Sequence, residues 1–87
     1  MGRITIERQK KIEGQYKLFI KNGYNPVDKC QEDISQINFR LSQAKEEDFD
    51  SQEDYKDWKN YAKQRKYFLV NVFAYAKRKR KYNYPHS

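Results

Sequence analysis

The chain has 87 residues, room for one small domain, and 37% of them are hydrophobic, 36% charged and 16% aromatic. That charge excludes a membrane-embedded protein, and the aromatic content excludes a chain that stays unfolded. One cysteine and one histidine, Cys30 and His86, assemble neither a metal cluster nor a Ser–His–Asp or Cys–His set, so no enzyme and no cofactor is expected.

A net charge of +7 favours an anionic partner, and its distribution sharpens the expectation. Residues 1–50 carry nine basic and nine acidic side chains, whereas residues 51–87 carry ten basic against three acidic ones and hold the whole excess. Seven acids crowd the stretch from Glu46 to Asp57, and none follows Asp57. The chain reads as a neutral body, an acidic connector and a basic, aromatic C-terminal arm.

At the start, Met1 to Ile6 runs into charge rather than an apolar stretch, so no signal peptide is expected, and Ile6 stands where a myristoylation motif wants Ser or Thr. The longest apolar run, Tyr67 to Ala76, is ten residues and is broken by Asn71, where a membrane span needs about 20. With a lone cysteine, these features predict a soluble, cytoplasmic protein without a membrane partner.

Thr5 can cap a first helix over about residues 5–21, with Ile12, Tyr16, Phe19 and Ile20 on its inner face. Gly14 weakens its interior by about 1 kcal/mol relative to alanine. Gly23 suits a left-handed C′ position, which places Phe19 and Tyr24 in the hydrophobic contact of a Schellman cap.

Asn25-Pro26 restarts a helix over about 26–45, asparagine as N-cap and proline in the first turn. Val27, Cys30, Ile34, Ile37, Leu41 and Ala44 recur at alternating steps of three and four, an unbroken apolar seam that Phe39 lies outside. Asn22 to Asn25 also makes a turn of helix–turn–helix length. The helix after it carries cancelling charges, which favours a plain antiparallel hairpin over a DNA-reading one.

A third helix, about 51–80, begins at Ser51, which can form a capping box with Asp54. Tyr55, Trp58, Tyr61, Ala62, Leu69, Val72, Phe73 and Ala76 fall within about 60° of one line, interrupted by Arg65. A strand over Phe68 to Tyr75 is the rival reading, but no partner strand or hairpin turn accompanies it. The expected fold is all-α: one domain over residues 1–87, a three-helix bundle or a helical hairpin with a long basic third helix across it. Its core is small enough that dimerisation through the Val27–Ala44 seam or the third helix is a further expectation.

On the third helix Lys56, Lys59, Lys63, Lys66 and Lys77 share a stripe turned about 120° from the apolar line, and Arg78, Lys79, Arg80 and Lys81 fan around its end. Lysines at this spacing neutralise phosphates and release counterions, so they bind nucleic acid, DNA or RNA, with weak sequence preference. Tyr67, Tyr75, Tyr82 and Tyr84 interleave with the charge as candidate stacking groups. The expected function is nucleic-acid or nucleoprotein binding through this helix.

The competing expectation is a protein–protein regulator, such as a small phage or mobile-element inhibitor of a nucleic-acid-handling machine. It would present Glu46, Glu47, Asp48 and Asp50 with the aromatics Phe39 and Phe49. The same acids suit the dipole of the third helix, or could cover the basic arm until a polyanion displaces them. They lack the glycine and spacing of a calcium loop. Residues 65–81 also form a basic amphipathic segment of the membrane-surface or calmodulin-target kind, a weaker reading because Trp58 falls outside it.

Overall fold

A computed structural model describes residues 5–83; Met1 to Ile4 and Tyr84 to Ser87 lie outside the described residues, as do the side chains of residues 80–83. The protein is all-α, with α1 (Ile6–Lys21), α2 (Pro26–Gln43), a single 3-10 turn (Glu46–Asp48) and α3 (Gln52–Asn83). The stretch from Phe68 to Tyr75 lies inside α3, which removes the strand alternative.

Local chemistry sets each boundary. Thr5 Oγ1 accepts the Arg8 backbone N–H at 3.1 Å, satisfying one of the donors that a helix start leaves open. At the other end of α1, Gly23 takes φ 86°. Tyr24 N–H then reaches Phe19 O at 2.9 Å and Gly23 N–H reaches Ile20 O at 3.0 Å, the paired bonds of a Schellman motif. The rings of Phe19 and Tyr24 close over it, with centroids 6.4 Å apart. Asn25 Oδ1 accepts from the N–H groups of both Val27 and Asp28, at 3.0 and 3.2 Å, so α2 starts after a sharp reversal.

α2 stops at Gln43, two residues short of the expected end, because Ala44 turns to extended backbone. Lys45 N–H instead donates to Asp48 Oδ2 at 3.3 Å and winds the connector into its 3-10 turn. Ser51 Oγ accepts from Asp54 N–H at 3.1 Å and opens α3.

α3 spans 32 residues, about 48 Å at 1.5 Å per residue, and gives the molecule its 54 Å long axis. It is the strut of the fold: α1 and α2 each pack on it, and touch each other least. α2 runs antiparallel to it. α1 runs parallel to it, since Arg8 and Lys11 lie beside Tyr61 to Phe68 while Tyr16 meets Tyr75.

The core joins Ile12 and Phe19 of α1, Cys30 of α2, and Leu69 and Val72 of α3, with Ile34, Ile37, Phe68 and Phe73 packed around it. Cys30 of the α2 seam is buried with Leu69 and Val72 of α3 within one chain and Val27 is buried too, so that end of the seam is already occupied.

Three expectations about the core need correction. Ile20 is 50% exposed, because it sits about 80° around α1 from Ile12, beyond the narrow stripe that α3 covers. Tyr61 lies on the apolar line of α3 yet is 69% exposed, because it stands level with only the first turns of α1, where a groove stays open between the two helices. Phe68 and Tyr75, outside that line, pack against the core because α1 rests on their side of α3.

Candidate nucleic-acid interface

The lysines of α3 lie where the helical period predicts. Lys56, Lys59, Lys63, Lys66 and Lys77 fall within a sector roughly 80° wide on the side away from the core. Lys56, Lys63 and Lys77 are exposed, and Lys59 and Lys66 are half-buried along their stems. From Lys56 to Lys77 the row covers about 32 Å of helix. It is not even. Between Lys66 and Lys77 the same sector presents Val70, which is exposed, so the face divides into a lysine-rich first half and a basic tip.

Aromatic rings one turn earlier steady several of these cations. Lys59 Nζ lies 5.1 Å from the centroid of Tyr55, Lys77 Nζ 5.3 Å from that of Phe73, and Lys79 Nζ 5.7 Å from that of Tyr75. Each pair is spaced i, i+4, the separation at which side chains of a helix meet. Arg78 is exposed beside them. Arg80, Lys81 and Tyr82 continue the helix with side chains outside the described residues, and Tyr84 lies outside them altogether.

No acid pairs with this face among the described residues. Among the described residues the ion pairs are those of Lys29 with Glu32 and Asp33, at 3.4 and 3.2 Å, and they hold the Lys29 ammonium above its ordinary pKa, chiefly through Asp33. The α3 lysines take no part in them. Asp54 and Asp57 turn to the far side of α3, about 160° and 140° from the middle of the lysine sector, while Glu53 borders the sector about 60° from Lys56. About 39 Å of continuous helix separates Ser51 from Lys77, several Debye lengths, so the connector does not fold over the basic tip within one chain.

The tyrosines divide. Tyr67 is 60% exposed next to the lysine sector, open to a ligand. Tyr75 is half-buried, its ring held by Tyr16 and packed on the core, which gives it a structural task. The residues of the alternative surface divide as well. Phe39 is 65% exposed on the outer face of α2, and Glu46, Glu47, Asp48 and Asp50 are exposed. Phe49 instead turns inward, its ring 5.3 Å from Tyr55 and 5.5 Å from Trp58, and closes the end of the bundle.

Two recesses flank the middle of α3. A cleft of about 230 Å³ between α2 and α3 is lined by Ile37, Arg40, Trp58, Tyr61 and Arg65, among others. A groove of about 660 Å³ lies between the first turns of α1 and the middle of α3 and shares Tyr61 and Arg65 with that cleft. Arg8, Lys11, Tyr61 and Arg65 are therefore site candidates that the sequence pattern alone did not single out. The i, i+3 spacing of Arg8 and Lys11 was visible, but their meeting with α3 depends on the parallel docking of α1. Among the described residues no group of acids, histidine or cysteine is arranged to hold a metal ion, and no helix is long and apolar enough to cross a membrane. No protein-family model matches the chain, and neither curated proteins nor solved structures show a significant similarity to it.

Proposed function

We propose that this protein is a non-enzymatic, cytoplasmic nucleic-acid-binding protein that contacts phosphates through the lysine face and basic tip of α3. The observation that carries the reading is the segregation of charge on one continuous helix. Its lysines occupy one solvent-facing sector, Asp54 and Asp57 of its first turns face away from it, and Glu53 is the one α3 acid at its edge. A rigid cationic row about 32 Å long is comparable with one turn of duplex and can engage several phosphates at once. Such contacts give affinity and orientation without a sequence code, so weak sequence preference accompanies them.

The test is a gel-shift titration with duplex and single-stranded probes at two salt concentrations, comparing the full chain with a truncation after Ala76. With about six phosphate contacts the slope of log K against log[salt] is near −5 for duplex DNA. The truncation, which keeps the Tyr16–Tyr75 contact, is expected to weaken binding and flatten the slope. Absence of any shift at low salt would overturn the reading in favour of a protein–protein regulator. The exposed Phe39 ring and the acidic Glu46–Asp50 connector favour that second reading, since an aromatic anchor beside a charged patch suits a protein partner.

A further inference from the structure

The groove between the first turns of α1 and the middle of α3 combines two features, and the lysine row shares only the ring of Tyr67 at its edge. The groove gathers cations from two helices, Arg8 and Lys11 of α1 and Arg65 of α3. It also has open rings on its walls, Tyr61 and Tyr67, which are 69% and 60% exposed. Rings this accessible leave most of their surface open to a ligand, and here two of them share one groove. The lining includes one carboxylate, that of Glu7, so the balance of the groove is positive.

We propose that this groove is the entry site for single-stranded nucleic acid, with unpaired bases stacked on Tyr61 and Tyr67 and the intervening phosphates held by Arg8, Lys11 and Arg65. The inference rests on the nucleic-acid reading above and adds to it the form of the ligand. A duplex hides the faces of its bases in the stack, so it has nothing to offer an exposed ring; a single strand has free faces at every residue. Tyr61 and Tyr67 are separated by about 9 Å along α3, room for a base on each with backbone between. Arg65 is positioned for this task. Its guanidinium lies 5.5 Å from the Phe68 centroid, which holds it against an aromatic wall at the edge of the groove that it lines. The lysine face then supplies a second, shape-indifferent contact along the strand leaving the groove.

The experiment uses the full chain and compares a fluorescein-labelled oligothymidylate with a duplex of the same length by anisotropy at low salt. The expected result is tighter binding of the single strand. The double variant Tyr61→Ala with Tyr67→Ala is expected to lose about tenfold or more for the single strand and little for the duplex. Tyr61→Trp with Tyr67→Trp, which keeps stacking surfaces, is expected to retain affinity and to show fluorescence quenching on binding. Arg8→Glu with Lys11→Glu is expected to weaken the single strand as well, and circular dichroism checks that each variant stays helical. Equal binding of both probes, unmoved by the tyrosine variants but weakened by Lys63→Glu with Lys66→Glu, would overturn the groove and leave the lysine face standing. Failure of the full chain to bind either probe at low salt would remove both proposals together.

Discussion

The rings of Tyr16 and Tyr75 meet nearly perpendicular, with centroids 5.2 Å apart and planes at 83°. This contact ties the end of α1 to α3 at the last turn before the basic tip, and it separates a structural tyrosine from the exposed Tyr67 eight residues earlier. Tyr75→Ala is expected to destabilise the fold by about 2–4 kcal/mol, and Tyr67→Ala by less than about 0.5 kcal/mol. A double-mutant cycle on Tyr16 and Tyr75 in urea denaturation should return a coupling of about 0.5–1.5 kcal/mol; additive losses would show that the two rings do not interact in solution.

Two glycines respond to alanine with opposite sign. Beyond its own chain neighbours and helix turn, neither Gly14 nor Gly23 has an atom within 4 Å of the place a Cβ would take, so packing does not decide the outcome. At Gly23, φ 86° penalises any L side chain, and Gly23→Ala should cost about 1 kcal/mol. Gly14 lies in the interior of α1, where alanine is the better helix former, and Gly14→Ala should add about 0.5–1 kcal/mol. Thermal melts of the two variants check the contrast directly.

Charge reversal in the lysine row should change the salt dependence of binding more than the fold. Lys63 is exposed and Lys66 half-buried, and neither pairs with an acid among the described residues, so Lys63→Glu with Lys66→Glu removes no structural ion pair seen there. The slope of log K against log[salt] is expected to fall by about 2 for duplex DNA, one for each phosphate that is no longer neutralised. An unchanged slope would place the phosphates elsewhere on the molecule.

Cys30 makes stability depend on pH on the alkaline side. It is fully buried, and that burial, reinforced by Asp33 and opposed by Arg65, pushes its thiol from an ordinary 9.0 up to about 11. The unfolded chain ionises near 9 while the folded one holds its proton. The resulting stabilisation is complete below about pH 9 and disappears as pH rises through 11, a change of about 2–3 kcal/mol. Urea midpoints of the wild type and Cys30→Ala between pH 8 and 11 should therefore converge. Parallel curves would mean that the thiol ionises without penalty.

Much of the fold was legible because its local signals are stereochemical. Gly23, Asn25-Pro26 and Ser51 each solve a problem of unpaired backbone groups or handedness; the first two appear at their expected tasks, and Ser51 supplies the Asp54 N–H half of its expected capping box. The three-and-four spacing of α2 likewise identified the face that meets α3. Periodicity tells which residues share a side of a helix, and it is silent on where the neighbouring helix ends. Tyr61 was therefore expected inside and is outside, while Phe68 and Tyr75 moved the other way. The lysine face was visible because it belongs to one helix. The groove of Arg8, Lys11, Tyr61 and Arg65 was not, because it exists only once α1 has docked parallel to α3.

That dependence on α3 also orders events during synthesis. α1 and α2 touch each other least, and each finds its buried face completed by α3, which follows both in the chain. Ile12 waits for Leu69, which follows it by 57 positions in the chain, so the ribosome must deliver the chain through the middle of α3 before either early helix has a lasting partner. A fragment ending at Gln43 should accordingly show little helical circular dichroism. The basic rod that would meet a polyanion therefore becomes available in the same step that makes the protein fold.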